Sequence, residues 1–210
     1  LQSIKLGLET INNGHAAKNL ESQKKILPVV LQQTSRMENI VNDLLSLSRI
    51  ELQEHIRPNE KVNLNDIISH SIELHQEILK KNNIECQFER ESKNVKINGD
   101  RNRLIEVFNN LIDNGIKYSE KNKKITITTK SENKNFLVTI KDQGIGISKE
   151  NIPQVTERFF RVDPAKSKEV GGTGLGLAIV KHIVNQHRAE MTISSEINKG
   201  TEISLNFPTI

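Results

Sequence analysis

Three groups of residues in this sequence could do chemistry together, and the first is a polar stripe on a predicted helix over residues 101–117. Glu106, Asn110 and Asn114 recur every four residues, so they lie on one helix face beside the apolar one. Asparagine is a poor helix former, and two on one stripe cost stability. Amide oxygens can ligate a hard cation such as Mg²⁺, which could in turn hold substrate phosphates. A solvated helix face would have the same composition, so the stripe alone leaves both interpretations open.

The second group is a glycine-containing turn that follows a predicted strand ending at Lys141. Its sequence is Asp142-Gln-Gly144-Ile-Gly146-Ile147. Glycines two apart let the backbone approach a flat ligand, and a fixed carboxylate can accept a hydrogen bond from an exocyclic amine. A structural turn would explain the same residues, so this motif is weak by itself.

The third group is a glycine-rich run, Gly171 to Leu177, that opens a predicted helix from Thr173 to about His187. Successive backbone N–H groups at a helix N-terminus form an anion site. A P-loop would need lysine where Leu177 stands, and a dinucleotide fingerprint would need glycine there and a strand directly before the run. The run therefore predicts a phosphate loop of another class, with a flexible linker as the alternative.

Apolar periodicity predicts the elements that carry these groups. Helices over Leu64 to about Lys81 and over residues 101–117 have capping residues, Asn63 and Asp100, directly before them. Helices and adjacent strands segregate along the chain, which favours a two-layer α/β sandwich, an α+β architecture. The strands are predicted at residues 84–90, 94–98, 125–129, 136–141, 190–196 and 202–207.

The N-terminal part, residues 1–56, is predicted to be an antiparallel helical hairpin with a bend at Asn12-Asn13-Gly14. A stripe of apolar side chains from Ile26 to Leu47 is too wide for two helices to bury, and Pro28 lies near its start. Pairing with a second copy into a dimeric four-helix bundle is the simplest solution. Packing on the rest of the chain is the alternative.

A polar segment with a proline separates the hairpin from the rest of the chain. Residues 57–61, Arg-Pro-Asn-Glu-Lys, are therefore predicted to be a linker between the hairpin and a second domain at residues 62–210. Because the chain begins at Leu1 rather than Met, we expect it to be a fragment of a longer protein, which could be anchored in a membrane.

The composition of the 210 residues, 35% hydrophobic and 27% charged, is typical of a globular protein. The net charge is +4, but bases and acids interleave and only one Tyr, six Phe and no Trp could stack on bases, so we expect no nucleic-acid partner. No apolar run is long enough to span a bilayer and no signal peptide opens the chain, so we expect no membrane contact by this segment. The single cysteine, Cys86, excludes an intrachain disulfide and a cysteine zinc site and predicts a cytoplasmic location.

The order of these motifs resembles that of the sensor histidine kinases, in particular the phosphate-regulon-sensor type. The resemblance covers essentially the whole chain, because Met37 to Glu51 also resembles the second helix of their dimerization and histidine-phosphotransfer domain. Further similarity comes from Lys199-Gly200-Thr201, which resembles the glycine turn before their last strand. The four ordered motifs are similar to the N box (Asn110 to Tyr118), the G1 box (Asp142 to Gly146), the F box (Glu157 to Asp163) and the G2 box (Gly172 to Leu177).

The resemblance implies the fold of the gyrase, chaperone and histidine-kinase ATPases, with ATP and Mg²⁺ as cofactors. Asn110 and Asn114 would hold Mg²⁺, Lys117 would contact the phosphates, and Asp142 would accept from the adenine amino group. Arg161, in a mobile lid, would reach the γ-phosphate, so that Asn110, Lys117 and Arg161 are the implied catalytic residues. The other implied ATP-binding residues are Tyr118, Gly144, Gly146, Ile147, Thr173, Gly174, Leu175, Gly176, Leu177 and Thr201. Among them, the side chains of Ile147 and Leu175 would line the adenine ring.

The resemblance further implies a homodimer that passes the ATP γ-phosphoryl group to a histidine and then to an aspartate of a response-regulator receiver domain. In the family the acceptor lies in H-[ED]-x-[KR]-x-P, and Leu1 to Lys5 resembles the residues after that proline. We therefore expect the acceptor about six residues upstream of Leu1. The chain itself is expected not to autophosphorylate, because none of its histidines has that context: His15, His55, His70, His75, His182 and His187.

Two other functions stay open at the level of the sequence. One is an ATPase of the related superfamily, whose members carry a water-activating glutamate where Asn110 stands. The other is a dimeric nucleotide-binding module without kinase activity. Departures from the family pattern leave two details open: Thr156 replaces an aromatic or aliphatic residue of the lid, and Arg188-Ala189 replaces a Gly-Gly turn.

Overall fold

A computed structural model describes Ile4 and residues 20–53, 55–93, 95–163 and 171–210. The chain divides into two compact units, Leu1–Leu45 and Ser46–Ile210, and each is described by itself. The bend predicted at residues 12–14 lies outside the described residues, and so does all but Ile4 of the first predicted helix.

The first unit contains most of one long helix, α1 (Leu20–Leu52). This helix begins earlier than the apolar stripe, so Pro28 lies inside it and the carbonyl of Lys24 lacks its usual N–H partner. None of the helices in the described ranges is both long enough and apolar enough to cross a bilayer. Several large apolar side chains of α1 are between 40% and 59% exposed: Leu27, Val29, Leu31, Val41, Leu44 and Leu45.

The second unit is a two-layer sandwich of helices on a five-stranded sheet, as the sequence predicts. The helices are α2 (Leu64–Leu74), α3 (Gln76–Asn82), α4 (Arg101–Tyr118) and α5 (Gly176–Gln186), and a 3-10 turn covers Ile152–Gln154. The strands of the main sheet are β2 (Glu85–Glu89), β4 (Lys124–Glu132), β5 (Asn135–Asp142), β6 (Glu190–Glu196) and β7 (Gly200–Pro208). Their order is β2-β4-β5-β7-β6, with β2 parallel to β4 and the other neighbours antiparallel.

The core lies between the helices and the inner face of the sheet. Side chains alternate along each strand, so that Ile127, Ile140 and Ile203 stand opposite one another on neighbouring strands and all point inward. Phe108 and Ile112 of α4 are fully buried against this face. α4 is therefore the central helix, and its polar stripe lies on the side away from the core.

The two predicted helix caps are confirmed. Asn63 Oδ1 accepts a hydrogen bond from the N–H of Asn65 at 2.9 Å. Asp100 Oδ1 accepts from the N–H groups of Asn102 and Arg103 at 2.9 and 3.1 Å, which starts α4 at the expected residue.

One predicted helix is wrong in extent, because the segment from Leu64 to Lys81 forms two helices that meet at His75. The His75 backbone leaves the helical region, with φ −97° and ψ 1°. Its ring is held on both sides, with Nδ1 2.7 Å from the carbonyl oxygen of Ser71 and Nε2 3.3 Å from Asp113 on α4. These contacts of the His75 ring are polar, so the spacing of apolar residues does not predict them or the helix break at His75.

Two further boundaries differ from the prediction. The strand expected at residues 94–98 is reduced to β3 (Ile97–Asn98), which pairs with β1 (Lys61–Val62) at the end of the predicted linker. The last helix begins at Gly176 and not at Thr173, because Gly174 adopts a φ of +78° that an α-helix does not allow.

Candidate functional site

The polar stripe of α4 meets the start of α5 at Asn110. Asn110 Nδ2 donates to the carbonyl of Glu106 at 2.9 Å, which orients the amide oxygen Oδ1. A Cβ placed on Gly176 would lie only 2.6 Å from Asn110 Oδ1. The absence of a side chain at Gly176 therefore lets α5 begin directly against the asparagine oxygen.

The predicted phosphate loop, residues 172–176 and called the phosphate loop below, has a conformation that holds its backbone groups in place. Thr173 Oγ1 accepts from the N–H of Leu175 at 3.2 Å, and the carbonyl of Gly174 accepts from the N–H of Phe159 at 2.8 Å. Arg161, expected in the lid, donates from Nη2 to the carbonyl of Thr173 at 2.9 Å. The structure thus brings Arg161 to the phosphate loop.

Two leucines that the sequence assigns to the nucleotide have side chains that belong to the core or pack against it. The Leu175 side chain is 0% exposed and belongs to the hydrophobic core, and Leu177 packs against that core. The N–H of Leu177, at the start of α5, remains suited to an anion, whereas the N–H of Leu175 donates to Thr173 Oγ1. The expectation that the Leu175 side chain lines an adenine pocket does not fit this burial.

Asp142, the last residue of β5, has a carboxylate fixed by the backbone. Its Oδ1 accepts from the N–H of Gly144 at 2.8 Å and from the N–H of Thr201 at 3.1 Å. Burial raises the pKa of Asp142, and the two N–H donors oppose that rise. Both donors bind Oδ1, so Oδ2 is the atom that would accept from an exocyclic amine.

The turn after Asp142 packs tightly on the end of α4. A Cβ on Gly144 would lie 2.5 Å from the carbonyl oxygen of Tyr118, and the same carbonyl accepts from the N–H of Ile145 at 3.1 Å. The structure therefore brings together Tyr118, Asp142 and Gly144.

The other side of this turn packs on the β6–β7 hairpin. Gly146 has a φ of +69°, and a Cβ there would lie 2.0 Å from the carbonyl oxygen of Glu196. The N–H of Ile147 donates to Ser195 Oγ at 2.8 Å, and Ser195 Oγ lies 2.9 Å from Thr201 Oγ1. Ser195 thus joins two predicted site residues, although its place in a strand of alternating exposure gave no signal of this in the sequence.

Helix α4 connects the Asp142 turn with the phosphate loop. A Cβ on Gly115 of this helix would lie 3.8 Å from Asp142 Cβ, while Asn110 touches Gly176. The axial rise between Asn110 and Gly115 is about 7.5 Å. The three groups singled out in the sequence therefore meet along one helix.

Asn114 and Lys117 lie on the same helix and are half-buried. Lys117 Nζ lies 3.5 Å from Asp113 Oδ2, so it would have to leave this partner to reach a phosphate. Burial raises the pKa of Asp113, but the hydrogen bond from His75 and the charge of Lys117 outweigh it and hold that pKa below its usual range. The same hydrogen bond acts in the opposite direction on His75 and raises the pKa of its ring, because it stabilises the protonated form.

The donor atoms here suit a cation that arrives with a phosphate. Within the described ranges, no group of three or more His, Cys, Asp or Glu side chains could hold a metal ion. The oriented amide oxygen of Asn110 is a hard ligand of the kind Mg²⁺ accepts, and Mg²⁺ usually completes its shell with water and phosphate oxygens. A cavity of about 240 Å³ lies along α4 and is lined by Asn102, Ile105, Glu106, Asn109, Asn110 and Asp113.

Two details that the sequence left open have a structural description. Thr156 Oγ1 accepts from Lys181 Nζ of α5 at 3.3 Å, so a polar contact stands where the family has an apolar lid residue. Arg188 adopts a φ of +56°, the conformation that glycine usually supplies, and its N–H donates to the carbonyl of Asn185 at 3.0 Å. Lys181 was not singled out from the sequence, because a lysine on a helix is ordinarily a surface residue.

Two family models match the chain. Residues 99–210 match the family described as histidine kinase-, DNA gyrase B- and HSP90-like ATPase. Residues 1–53 match the His Kinase A (phospho-acceptor) domain.

Named proteins with similar sequences and structures are histidine kinases. The sensor-like histidine kinase SenX3 of Mycobacterium tuberculosis is 32% identical over 195 residues, covering 93% of this chain and 47% of SenX3. The phosphate regulon sensor protein PhoR of Pseudomonas aeruginosa is 33% identical over 183 residues, covering 87% of this chain and 41% of PhoR. The nucleotide-free catalytic domain of the histidine kinase ThkA superimposes with a TM-score of 0.63 at 28% identity, over 71% of this chain and 94% of that domain. This chain therefore spans less than half the length of these curated relatives.

Proposed function

This chain belongs to the sensor histidine kinases, and from that premise we propose that it binds Mg²⁺–ATP at the site along α4 and directs the γ-phosphoryl group to a histidine. The phosphoryl group would then pass to an aspartate of a response regulator. The matches to named histidine kinases do not favour the two alternatives, a related ATPase or a binding module without kinase activity.

One observation carries the proposal: α4 touches the Asp142 turn through Gly115 and the phosphate loop through Asn110. A ligand lying along α4 would meet a carboxylate for an amine at one end and backbone N–H groups for an anion at the other. An adenine nucleotide has these two features at its two ends.

The roles of individual residues follow from their positions. Asp142 Oδ2 would accept from the adenine amino group, and Gly144 and Gly146 keep the turn close to Tyr118 and to β6. The Arg161 guanidinium on the phosphate loop would lie near phosphate oxygens. Asn110 Oδ1, with Asn114, would hold Mg²⁺, which neutralises phosphate charge when it is bound.

Two histidines have buried rings, which supports the proposal that neither of them is the acceptor. His75 and His187 are buried, and each ring binds a backbone carbonyl within its own turn. His182 lies 3.4 Å from Glu51, within the folded second unit. His15 lies outside the described residues.

Several further features are proposed on the strength of the family. The hairpin, residues 1–56, would form a homodimer, residues 57–61 would link it to the catalytic domain at residues 62–210, and a receiver domain of a response regulator would be the partner. Because the kinase uses ATP, we place this part of the protein in the cytoplasm.

The proposal is tested by titrating the chain with a fluorescent ATP analogue, with and without Mg²⁺. We expect saturable binding that weakens when Mg²⁺ is removed; no binding would contradict the proposed site. Labelled γ-phosphate should not enter the chain in acid-labile form, and clear labelling would show that one of its histidines is an acceptor. Steady hydrolysis of ATP over many turnovers would favour the related ATPase.

A further inference from the structure

The last turns of α1 and the segment after it attach to the C-terminal end of α5. Leu47 and Ile50 are 2% and 1% exposed and belong to the core of the second unit. The buried Gln186 side chain donates from Nε2 to the carbonyls of Gln53 and Ile56, both at 3.1 Å. Arg57 Nη1 donates to the carbonyls of Asn185 and Gln186, both at 3.0 Å. Residues 46–57, here called the stem end, are thus held on α5 by apolar burial and four hydrogen bonds.

A charged cluster lies further along the same contact. The Glu51 carboxylate on α1 pairs with the guanidinium of Arg158 and lies 3.4 Å from His182 Nε2 on α5. On the other side of Arg158, Glu157 and Thr156 contact Lys181 of α5 at 3.5 and 3.3 Å. Arg158 therefore faces a carboxylate of the stem end, while its neighbours face α5.

Arg158 belongs to segment 157–161, which contacts the phosphate loop. The next residue, Phe159, donates its N–H to the carbonyl of Gly174 at 2.8 Å and adopts a φ of +61° that is strained for a phenylalanine. A Cβ on Gly174 would lie 3.0 Å from Phe159 Cα, so the two backbones touch. Arg161 then binds the carbonyl of Thr173. A displacement of Arg158 would therefore occur one residue away from this backbone contact.

We propose that Glu51 is a positioning residue, which ties the segment 157–161 to the stem end and thereby holds the phosphate loop in place. As far as it concerns the nucleotide, this inference rests on the function proposed above. The apolar and linker contacts of the stem end reach the core and the C-terminal end of α5, whereas Glu51 makes its contact with segment 157–161. Removing the Glu51 charge should therefore loosen that segment while the stem end stays attached.

The first measurement is amide hydrogen exchange of the nucleotide-free chain. Glu51→Gln should speed exchange at the N–H of Phe159 about two- to fivefold, the range expected for a surface ion pair. The Gln53 N–H, which donates to Arg49 and Ile50 carbonyls, should exchange as in the wild type. Glu38→Gln, at an exposed position of the same helix, is the control and should leave Phe159 unchanged.

Exchanging the charges of Glu51 and Arg158 distinguishes the loss of their ion pair from a general loss of structure. Arg158→Glu should speed exchange at Phe159 as Glu51→Gln does, whereas the double variant Glu51→Arg/Arg158→Glu should restore slow exchange. Unchanged exchange in both single variants, or failure of the double variant to restore it, would overturn the inference.

The second measurement is the affinity for the fluorescent ATP analogue. Glu51→Gln should weaken binding about two- to fivefold, and the charge-exchanged pair should recover it. Faster exchange at Phe159 with unchanged affinity would overturn the link to the phosphate loop. If the wild-type chain binds no nucleotide, the proposed function fails while the exchange results still decide whether Glu51 holds the segment.

Discussion

At the scale of single residues, Asp142 shows how backbone N–H groups fix a carboxylate. The N–H groups of Gly144 and Thr201 both bind Oδ1, so one carboxylate oxygen is fixed and the other receives neither of these hydrogen bonds. The sequence motif predicts a carboxylate beside a close turn, but the donor from Thr201 arises from a strand 59 residues later. This contact depends on the register of β7, which the motif does not contain.

Asp142→Asn tests this carboxylate with little change of shape. The amide can keep an oxygen toward Gly144 and Thr201, but it places an NH₂ group where an adenine amino group would donate. We expect affinity for the ATP analogue to fall about 10- to 100-fold, as for loss of a hydrogen bond to a charged group. Thermal unfolding should shift little. Asp66→Asn, which removes an exposed carboxylate paired with Arg90, is the control, and equal losses in both variants would argue against the role of Asp142.

Gly176 provides a second test at a single position. An alanine Cβ would lie 2.6 Å from Asn110 Oδ1, so the amide must rotate away from its present direction. We expect Gly176→Ala to weaken Mg²⁺-dependent binding of the analogue about tenfold, with a smaller effect on binding without Mg²⁺. Gly171→Asn is a matched control, because Gly171 has a φ of +74° that asparagine tolerates and open space around its Cα. If both substitutions act alike, crowding at Asn110 is not the cause.

At the scale of elements, buried His187 connects the end of α5 with the start of α4. Its Nε2 accepts from the N–H of Asp100 at 3.0 Å and its Nδ1 donates to the carbonyl of Ile183 at 2.7 Å, so the ring is neutral. Burial lowers the pKa of His187 despite the Ile183 carbonyl and the Asp100 charge. The unfolded chain therefore binds this proton more readily, and stability is lost as pH falls through the ordinary histidine pKa.

His75 has the opposite effect on stability. Its hydrogen bond to Asp113 raises the pKa of His75 in the folded state, so the stability from this pair is present at low pH and lost as pH rises through that pKa. We therefore compare variants in chemical denaturation between pH 5 and 8. His187→Gln should make the free energy of unfolding less sensitive to acid, and His75→Gln should make it more sensitive. The same pH profile in wild type and both variants would contradict the assignment.

The elements also show what the sequence could and could not predict. The helices α2, α4 and α5, the strand alternation and the caps at Asn63 and Asp100 follow from local periodicity and local hydrogen bonds. The break at His75 was missed because a residue on another helix, Asp113, helps to cause it. The sequence does not predict the pairing of β1 with β3, because two-residue strands carry no periodic signal.

At the scale of the whole chain, the site motifs were predictable and the attachments between them were not. The Asp142 turn and the phosphate loop each carry a local glycine pattern, whereas their common support by Gly115 and Asn110 depends on how α4 packs. Glu51 lies 107 residues before its partner Arg158 and shares no motif with it. Contacts of this kind depend on the tertiary fold, so no single segment of the sequence predicts them.

The exposed apolar face of α1 leads to the last prediction, which concerns assembly. Val41 and Leu45 are one turn apart and each 51% exposed, so an aspartate at both positions would place charges in any seam that a second copy covers. We expect the wild-type chain to be a dimer by light scattering at about 20 µM, and Val41→Asp/Leu45→Asp to be a monomer.

The residues of the proposed nucleotide site lie in the second unit, so this monomer should bind the ATP analogue within about twofold of the wild type. Asn39→Asp adds a charge at an exposed polar position of α1 and should leave the dimer intact. A wild-type monomer at this concentration, or a double variant that remains dimeric, would mean that the apolar face of α1 is not the dimer seam. A monomer that also lost nucleotide binding would show that the two units depend on each other, because the site residues themselves are unchanged in this variant.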